Sequence, residues 1–150
     1  MSNPVSNPVS NPVSIIRTFP ATPEQVFDAW TTPASFAVWF GTAAVPVDDV
    51  EMDVRVGGGW KATMHLPDGS LKHWVGEFTE VNRPTRLALT LTDEPDDPAR
   101  EPITVDIVAV DGGAMMTMVQ TAQGFDDASK AALTAGYTAF FDDMEKLLVR

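Results

Sequence analysis

The chain has 150 residues, 44% of them apolar, with four Trp, eight Phe, one Tyr and no Cys. Ten Lys and Arg against twenty-one Asp and Glu leave a formal charge of −11, which argues against the clustered basic surface of a nucleic-acid binder and against a polybasic membrane patch. Disulfide and thiolate chemistry are excluded by the missing Cys, no apolar run approaches the ~20 residues that span a bilayer, and the N-terminus lacks the basic-then-apolar order of a secretory signal, so the expectation is one soluble, cytoplasmic domain.

Residues 1–13 carry the unit Ser-Asn-Pro-Val three times after Met1. Each Pro fixes its own φ and drives the preceding Asn out of the helical region, which predicts a disordered or extended tail. The folded domain is expected over 14–150. Ile15, Ile16 and Phe19 suit a strand. Thr22-Pro23-Glu24-Gln25 then supplies an N-cap, a proline at the first helical position and a capping-box partner. Val26, Phe27 and Trp30 give this first helix, about 23–30, an apolar face. Thr32-Pro33 repeats the start signal, and Phe36, Trp39 and Phe40 line a second short helix that Gly41 ends.

Beyond Gly41 the apolar period becomes two. Met52, Val54 and Val56 alternate with Asp53 and Arg55 and predict a strand. Gly57-Gly58-Gly59 reads as a bulge or sharp bend. Trp60, Ala62, Met64 and Leu66 form the apolar side of the next strand, Pro67-Asp68-Gly69 a turn, and Leu71 to Val81 a further strand. Leu87, Leu89 and Leu91 alternate in another. Asp93 to Pro102 is polar and proline-rich and reads as a solvated loop. Ile103, Val105 and Ile107 begin a strand that Asp111-Gly112-Gly113 turns back as a hairpin into Ala114–Thr121. A long helix closes the chain, capped by Asp126 or Asp127, with Ala132, Gly136, Phe140 and Met144 on one stripe and Tyr137, Phe141, Met144 and Leu148 on its neighbour. An antiparallel sheet cannot leave its apolar face wet, and this helix is the obvious cover.

In this order, Phe19-Pro20-Ala21-Thr22-Pro23-Glu24-Gln25-Val26-Phe27-Asp28-Ala29-Trp30, Trp39-Phe40-Gly41, Gly57-Gly58-Gly59-Trp60 with Pro67-Asp68-Gly69, Glu80-Val81 with Pro84 and Leu87, and Gly136-Tyr137 with Leu147-Leu148 resemble the START-like, or SRPBCC, helix-grip superfamily. Within it they are similar to the branch of homologues of the activator of the heat-shock-protein-90 ATPase. Tyr137 stands where that branch usually has Trp. The resemblance implies an α+β helix-grip fold: a seven-stranded curved antiparallel sheet wrapped on a long C-terminal helix, with two short helices after the first strand. It also implies a cavity between sheet and helix that takes a small hydrophobic or amphipathic molecule. Candidate lining residues are Phe36, Phe40, Trp60, Met64, Trp74, Phe78, Met116, Met118, Tyr137 and Phe141; the methionines, unbranched and adaptable, suit either a cavity wall or plain core filling. The Tyr137 hydroxyl either orients a ligand or sits at the rim of a core aromatic.

Chemistry is harder to find. His65 and His73 flank the Pro67-Asp68-Gly69 turn, but spacing offers them no third ligand for a metal. No phosphate-loop or serine-nucleophile pattern occurs. No cofactor, metal or catalytic residue is assigned. The expected partner is a small hydrophobic molecule, without nucleic acid or membrane insertion, and a homodimer is compatible with the sequence. Two alternatives stay open: a polyketide-cyclase-like or hydrolase-like enzyme using the same cavity, and a co-chaperone-like protein-binding module.

Overall fold

The computed structural model describes residues 12–41, 45–94, 96, 101–121 and 125–149. The elements are β1 (Val13–Phe19), α1 (Pro23–Thr31), α2 (Pro33–Trp39), β2 (Val47–Met52), β3 (Gly59–His65), β4 (Leu71–Asn82), β5 (Arg86–Leu91), β6 (Glu101–Val110), β7 (Gly113–Gln120) and α3 (Asp127–Leu148). The seven strands form one antiparallel sheet in the order β1-β7-β6-β5-β4-β3-β2. Consecutive strands from β2 to β7 are neighbours, and β1 closes on β7.

Local chemistry accounts for the helix starts. Thr22 Oγ1 accepts from Gln25 N at 3.1 Å and Gln25 Oε1 accepts from Thr22 N at 2.8 Å, a complete capping box. Asp126 Oδ1 accepts from Ser129 N at 2.7 Å at the head of α3, and these hydrogen bonds hold its carboxyl below the usual range.

Three boundaries depart from the sequence reading. The folded part begins at Val13, which is buried and paired with Gln120; residues 1–11 of the proposed tail lie outside the described residues. The strand expected over Met52–Val56 ends at Met52 and starts earlier, at Val47. Its apolar alternation runs on into a turn instead, in which Asp53 N donates to Gly59 O and Gly58 N to Arg55 O. Gly57 has φ +85° there, and a Cβ on Gly58 would lie 2.0 Å from Asp53 O. Val54 and Val56 are consequently exposed. β6 begins at Glu101, inside the segment expected to be loop.

The core fills the concave face of the sheet beneath α1, α2 and the second half of α3. Trp30, Trp39, Phe36, Phe40, Phe140 and Phe141 form one aromatic cluster, with ring centroids 4.5–6.4 Å apart in the contacting pairs. Trp30 Nε1 donates to Met116 Sδ on β7 and Trp39 Nε1 to Ala29 O on α1. Trp60 on β3 reaches across Gly76 of β4 to donate to Thr90 O on β5 at 2.9 Å. That crossing requires glycine, because a Cβ on Gly76 would lie 1.7 Å from the same carbonyl oxygen.

Beyond the core, β2 is an edge strand with a register shift between Asp48 and Glu51; Asp49 between them has φ 54°, and all three acids are exposed. At the other edge Arg17 of β1 ties down α3: its guanidinium meets Asp142 at 2.8 Å and Glu145 at 3.0 Å. The two carboxylates are half exposed, so the contribution is modest. Arg17→Met is expected to lower stability by about 1 kcal/mol, read as a lower urea midpoint, and to lose part of that effect in high salt as the wild-type pair is screened.

Candidate ligand-binding cavity

α3 is two different helices in composition. From Asp127 to Gly136 the only large apolar side chain is Leu133; from Tyr137 onward come Phe140, Phe141, Met144, Leu147 and Leu148. The second half therefore packs, with Phe141 and Met144 fully buried, and the close neighbours of the helix are α2, β1 and α1. The first half, with Ala131, Ala132, Ala135 and Gly136 exposed, cannot reach the sheet. The space left beneath it is a cavity of about 670 Å³, within the range of small-molecule sites.

Five strands contribute from this end of the sheet. Met64 lies next to the end of β3, Trp74 near the start of β4, Leu91 closes β5, Glu101 opens β6 and Gln120 closes β7; Phe40 and Val45 wall one flank. Leu133, Tyr137 and Phe140 face them from α3, with Ala132, Gly136 and Ala139 at the edge of the roof. Thr92, Asp93, Glu94 and Phe125 complete the rim. The wall is mostly apolar with a few fixed polar groups.

Those polar groups are held in definite states. Gln120, 5% exposed, is the one buried polar residue among the described residues. Its Oε1 accepts from the Tyr137 hydroxyl at 2.5 Å. Burial pushes the Tyr137 phenol well above its usual value of 10, so the group remains a neutral donor. On the rim, Thr92 Oγ1 accepts from Glu94 N, Asp93 pairs with Lys72 at 3.2 Å, and Glu101 Oε2 accepts from Thr121 Oγ1 at 2.7 Å. Lys72 also lies over the Trp74 ring, 5.5 Å from its centroid.

Because Tyr137 is the only tyrosine, its titration can be followed directly. In the folded protein the phenol stays protonated above pH 10, where the unfolded chain loses that proton. Stability conferred by the neutral phenol is complete below pH 10 and declines above it, by about 1.4 kcal/mol per pH unit. Urea unfolding at successive alkaline pH values is expected to show that slope, and Tyr137→Phe is expected to remove it. A tyrosinate absorbance rising at pH 10 without unfolding would contradict the buried setting.

Of the ten residues proposed from sequence to line a cavity, Phe40, Met64, Trp74 and Tyr137 do so. The other six, Phe36, Trp60, Phe78, Met116, Met118 and Phe141, point to the same inner side but sit in the packed core. They occupy the middle of the concave face, beneath the aromatic cluster and the bulky half of α3, where no space remains. Sequence reasoning missed Gln120, although it continues the inward alternation Ala114, Met116, Met118 and is the polar exception in it. It also missed the rim acids, which fall in or beside the presumed loop.

The histidines stand apart from the cavity. Register pairs Thr63 with His73 and His65 with Leu71, so the two are diagonal rather than opposite. His65 Nε2 lies 2.9 Å from Asp48 Oδ1 near the β2 edge, and His73 is exposed. No group of three or more His, Cys, Asp or Glu able to hold a metal occurs among the described residues. Asp106, which interrupts an apolar strand, meets Arg86 at 2.7–2.8 Å on the other side of the sheet from the core. No helix among the described residues is long and apolar enough to cross a membrane.

A curved antiparallel sheet gripping a long C-terminal helix, with two short helices after the first strand, defines the START-like helix-grip class, which in general is a ligand-binding type of domain. Solved structures share it across nearly the whole chain. A protein from Chromobacterium violaceum superposes with a TM-score of 0.82 at 24% identity, covering 93% of this chain and 98% of that one. An AHSA1-like protein from Aeromonas hydrophila gives 0.76 at 24%, covering 90% of each, and a protein of unknown function from Staphylococcus aureus 0.77 at 20%, covering 91% and 92%. The chain belongs to the family described as activator of Hsp90 ATPase homolog 1-like proteins, whose model matches residues 20–149. No curated protein matches it.

Proposed function

We infer that this protein binds a small apolar or amphipathic molecule, non-covalently, in the cavity between the sheet and the first half of α3. The observation that carries this reading is the roof. Gly136 lies inside a helix, where glycine is unfavourable by about 1 kcal/mol relative to Ala. Yet a Cβ placed on it would meet nothing within 4 Å. Close packing therefore does not require glycine at this position, and the backbone there borders open space at the edge of the cavity. Together with the neighbouring alanines it keeps about 670 Å³ free next to an otherwise close-packed core.

The reading is tested by denaturing protein purified from its native host and searching the released material by mass spectrometry for a stoichiometric small molecule. Titration of the purified protein with the neutral apolar dye Nile red accompanies it. Saturable dye binding, displaced by the released molecule, is the expected result. A protein that releases nothing and leaves the dye emission unchanged does not use this cavity for binding.

A further inference from the structure

We propose that the ligand of this cavity is an uncharged amphiphile whose buried polar end carries a hydrogen-bond acceptor, a carbonyl oxygen in the simplest case, and that carboxylate anions such as fatty acids are rejected. This rests on the cavity being a binding site and specifies what it selects.

The first observation is Gln120. Tyr137, kept neutral by burial, donates its hydroxyl proton to Gln120 Oε1. In this arrangement Oε1 lies against the hydroxyl and Nε2 is the amide's other polar atom. Gln120 Nε2 then carries two N–H donors with no protein acceptor among the described residues, on a side chain more than nine-tenths buried in the cavity wall. Nε2 is not among the fully covered atoms without a partner, so it opens on the cavity, where a ligand acceptor can meet it in place of water. The second observation comes from β4. Trp74 Nε1 is the one fully covered side-chain nitrogen or oxygen without a partner among the described residues, and Trp74 belongs to the same wall. Being fully covered, that nitrogen does not open on the cavity, and the donor offered there is Gln120 Nε2.

The third observation is charge. The described wall and rim include Asp93, Glu94 and Glu101 and no Lys, Arg or His. Lys72, which lies over the Trp74 ring, is already paired with Asp93. Glu101 opens β6 beside the end of β7, and its carboxylate is held by Thr121, the residue after Gln120. An anionic head group at Gln120 would exchange bulk water for a site near Glu101, where the two like charges repel. A carbonyl oxygen meets the donors without that penalty.

The test uses three ligands of equal chain length: methyl nonyl ketone, undecanoate and undecane. Each competes with Nile red on the full chain at neutral pH. The ketone is expected to bind about tenfold more tightly than either of the others, the value of one well-made hydrogen bond to a buried donor. The Gln120 side-chain amide resonances are expected to shift with the ketone and not with undecane. Gln120→Leu is expected to bring the ketone and undecane to within about twofold of each other. As a check independent of that substitution, Glu101→Gln is expected to improve undecanoate binding several-fold. Undecanoate binding as tightly as the ketone overturns the proposal, and so does an unchanged ketone preference in Gln120→Leu, because water rather than ligand then serves the amide. If Nile red and undecane fail to bind at all, the cavity reading itself falls; if they bind and the ketone shows no advantage, only the ligand assignment does.

Discussion

Gly136→Trp is expected to abolish binding of Nile red while leaving the fold intact. Position 136 is exposed, at the cavity edge, and its Cβ would enter open space. Trp is also a better helix residue than Gly by a few tenths of a kcal/mol or more, so the helix itself gains. The indole brings on the order of 200 Å² of surface into the region a ligand would occupy. Loss of affinity by at least about tenfold, or 1.4 kcal/mol, with an unchanged or raised melting temperature, is the expected pair of readings. Gly136→Ala is the control: it is expected to stabilise the protein by about 0.5–1 kcal/mol and to leave dye affinity within about twofold. Undiminished dye binding in Gly136→Trp would place the dye somewhere other than beneath α3.

The largest effect on stability is expected from Trp39→Ala. Trp39 is fully buried, its indole N–H donates to Ala29 O at 2.7 Å, and its ring touches those of Trp30, Phe36, Phe40, Phe140 and Phe141. It thus joins α1, α2 and α3 over the sheet. Truncation of a buried Trp costs about 3–5 kcal/mol, a large share of the roughly 5–15 kcal/mol that holds a domain of this size. Trp39→Phe keeps most of the packing and loses the hydrogen bond, and about half that cost is expected of it. Urea unfolding of both variants checks the values. A loss below about 1 kcal/mol for the alanine would show that the aromatic cluster can collapse into the space.

Much of this fold is legible in the sequence because each element announces its own start and period. Thr22-Pro23 and Thr32-Pro33 begin helices where they should, alternation finds β3, β5 and most of β6, and the turns at Pro67-Asp68-Gly69 and Asp111-Gly112-Gly113 place β4 and β7. β2 shows the limit of the method. The alternation of Met52, Val54 and Val56 belongs to no strand, because the chain turns at Asp53 to close on Gly59. Only a contact six residues away distinguishes that turn from a strand. The site follows the same division. Parity identifies which side chains point inward, and all ten candidates do. It says nothing of depth: Phe78 and Trp74 share one side of β4, yet one is sealed in the core and the other lines open space. What separates them is the side chains above, bulky over the middle of the sheet and small over its end. The contrast between the two halves of α3 is itself visible in the sequence. Glu94 and Glu101 carry no such signal, since polar residues near a turn look alike whether or not a cavity opens beside them.

The bulged, acidic margin of β2 bears on how copies of this protein can meet. An unpaired strand is a template on which a second chain can extend the sheet, and that route leads to swapped dimers and fibrils. Here the template is spoiled twice. Its hydrogen-bonding rhythm is broken between Asp48 and Glu51, and three carboxylates line the same stretch. Polymerisation by strand addition at this margin is disfavoured, so any self-association in solution would have to use the opposite edge at β1 or side-chain faces elsewhere on the molecule.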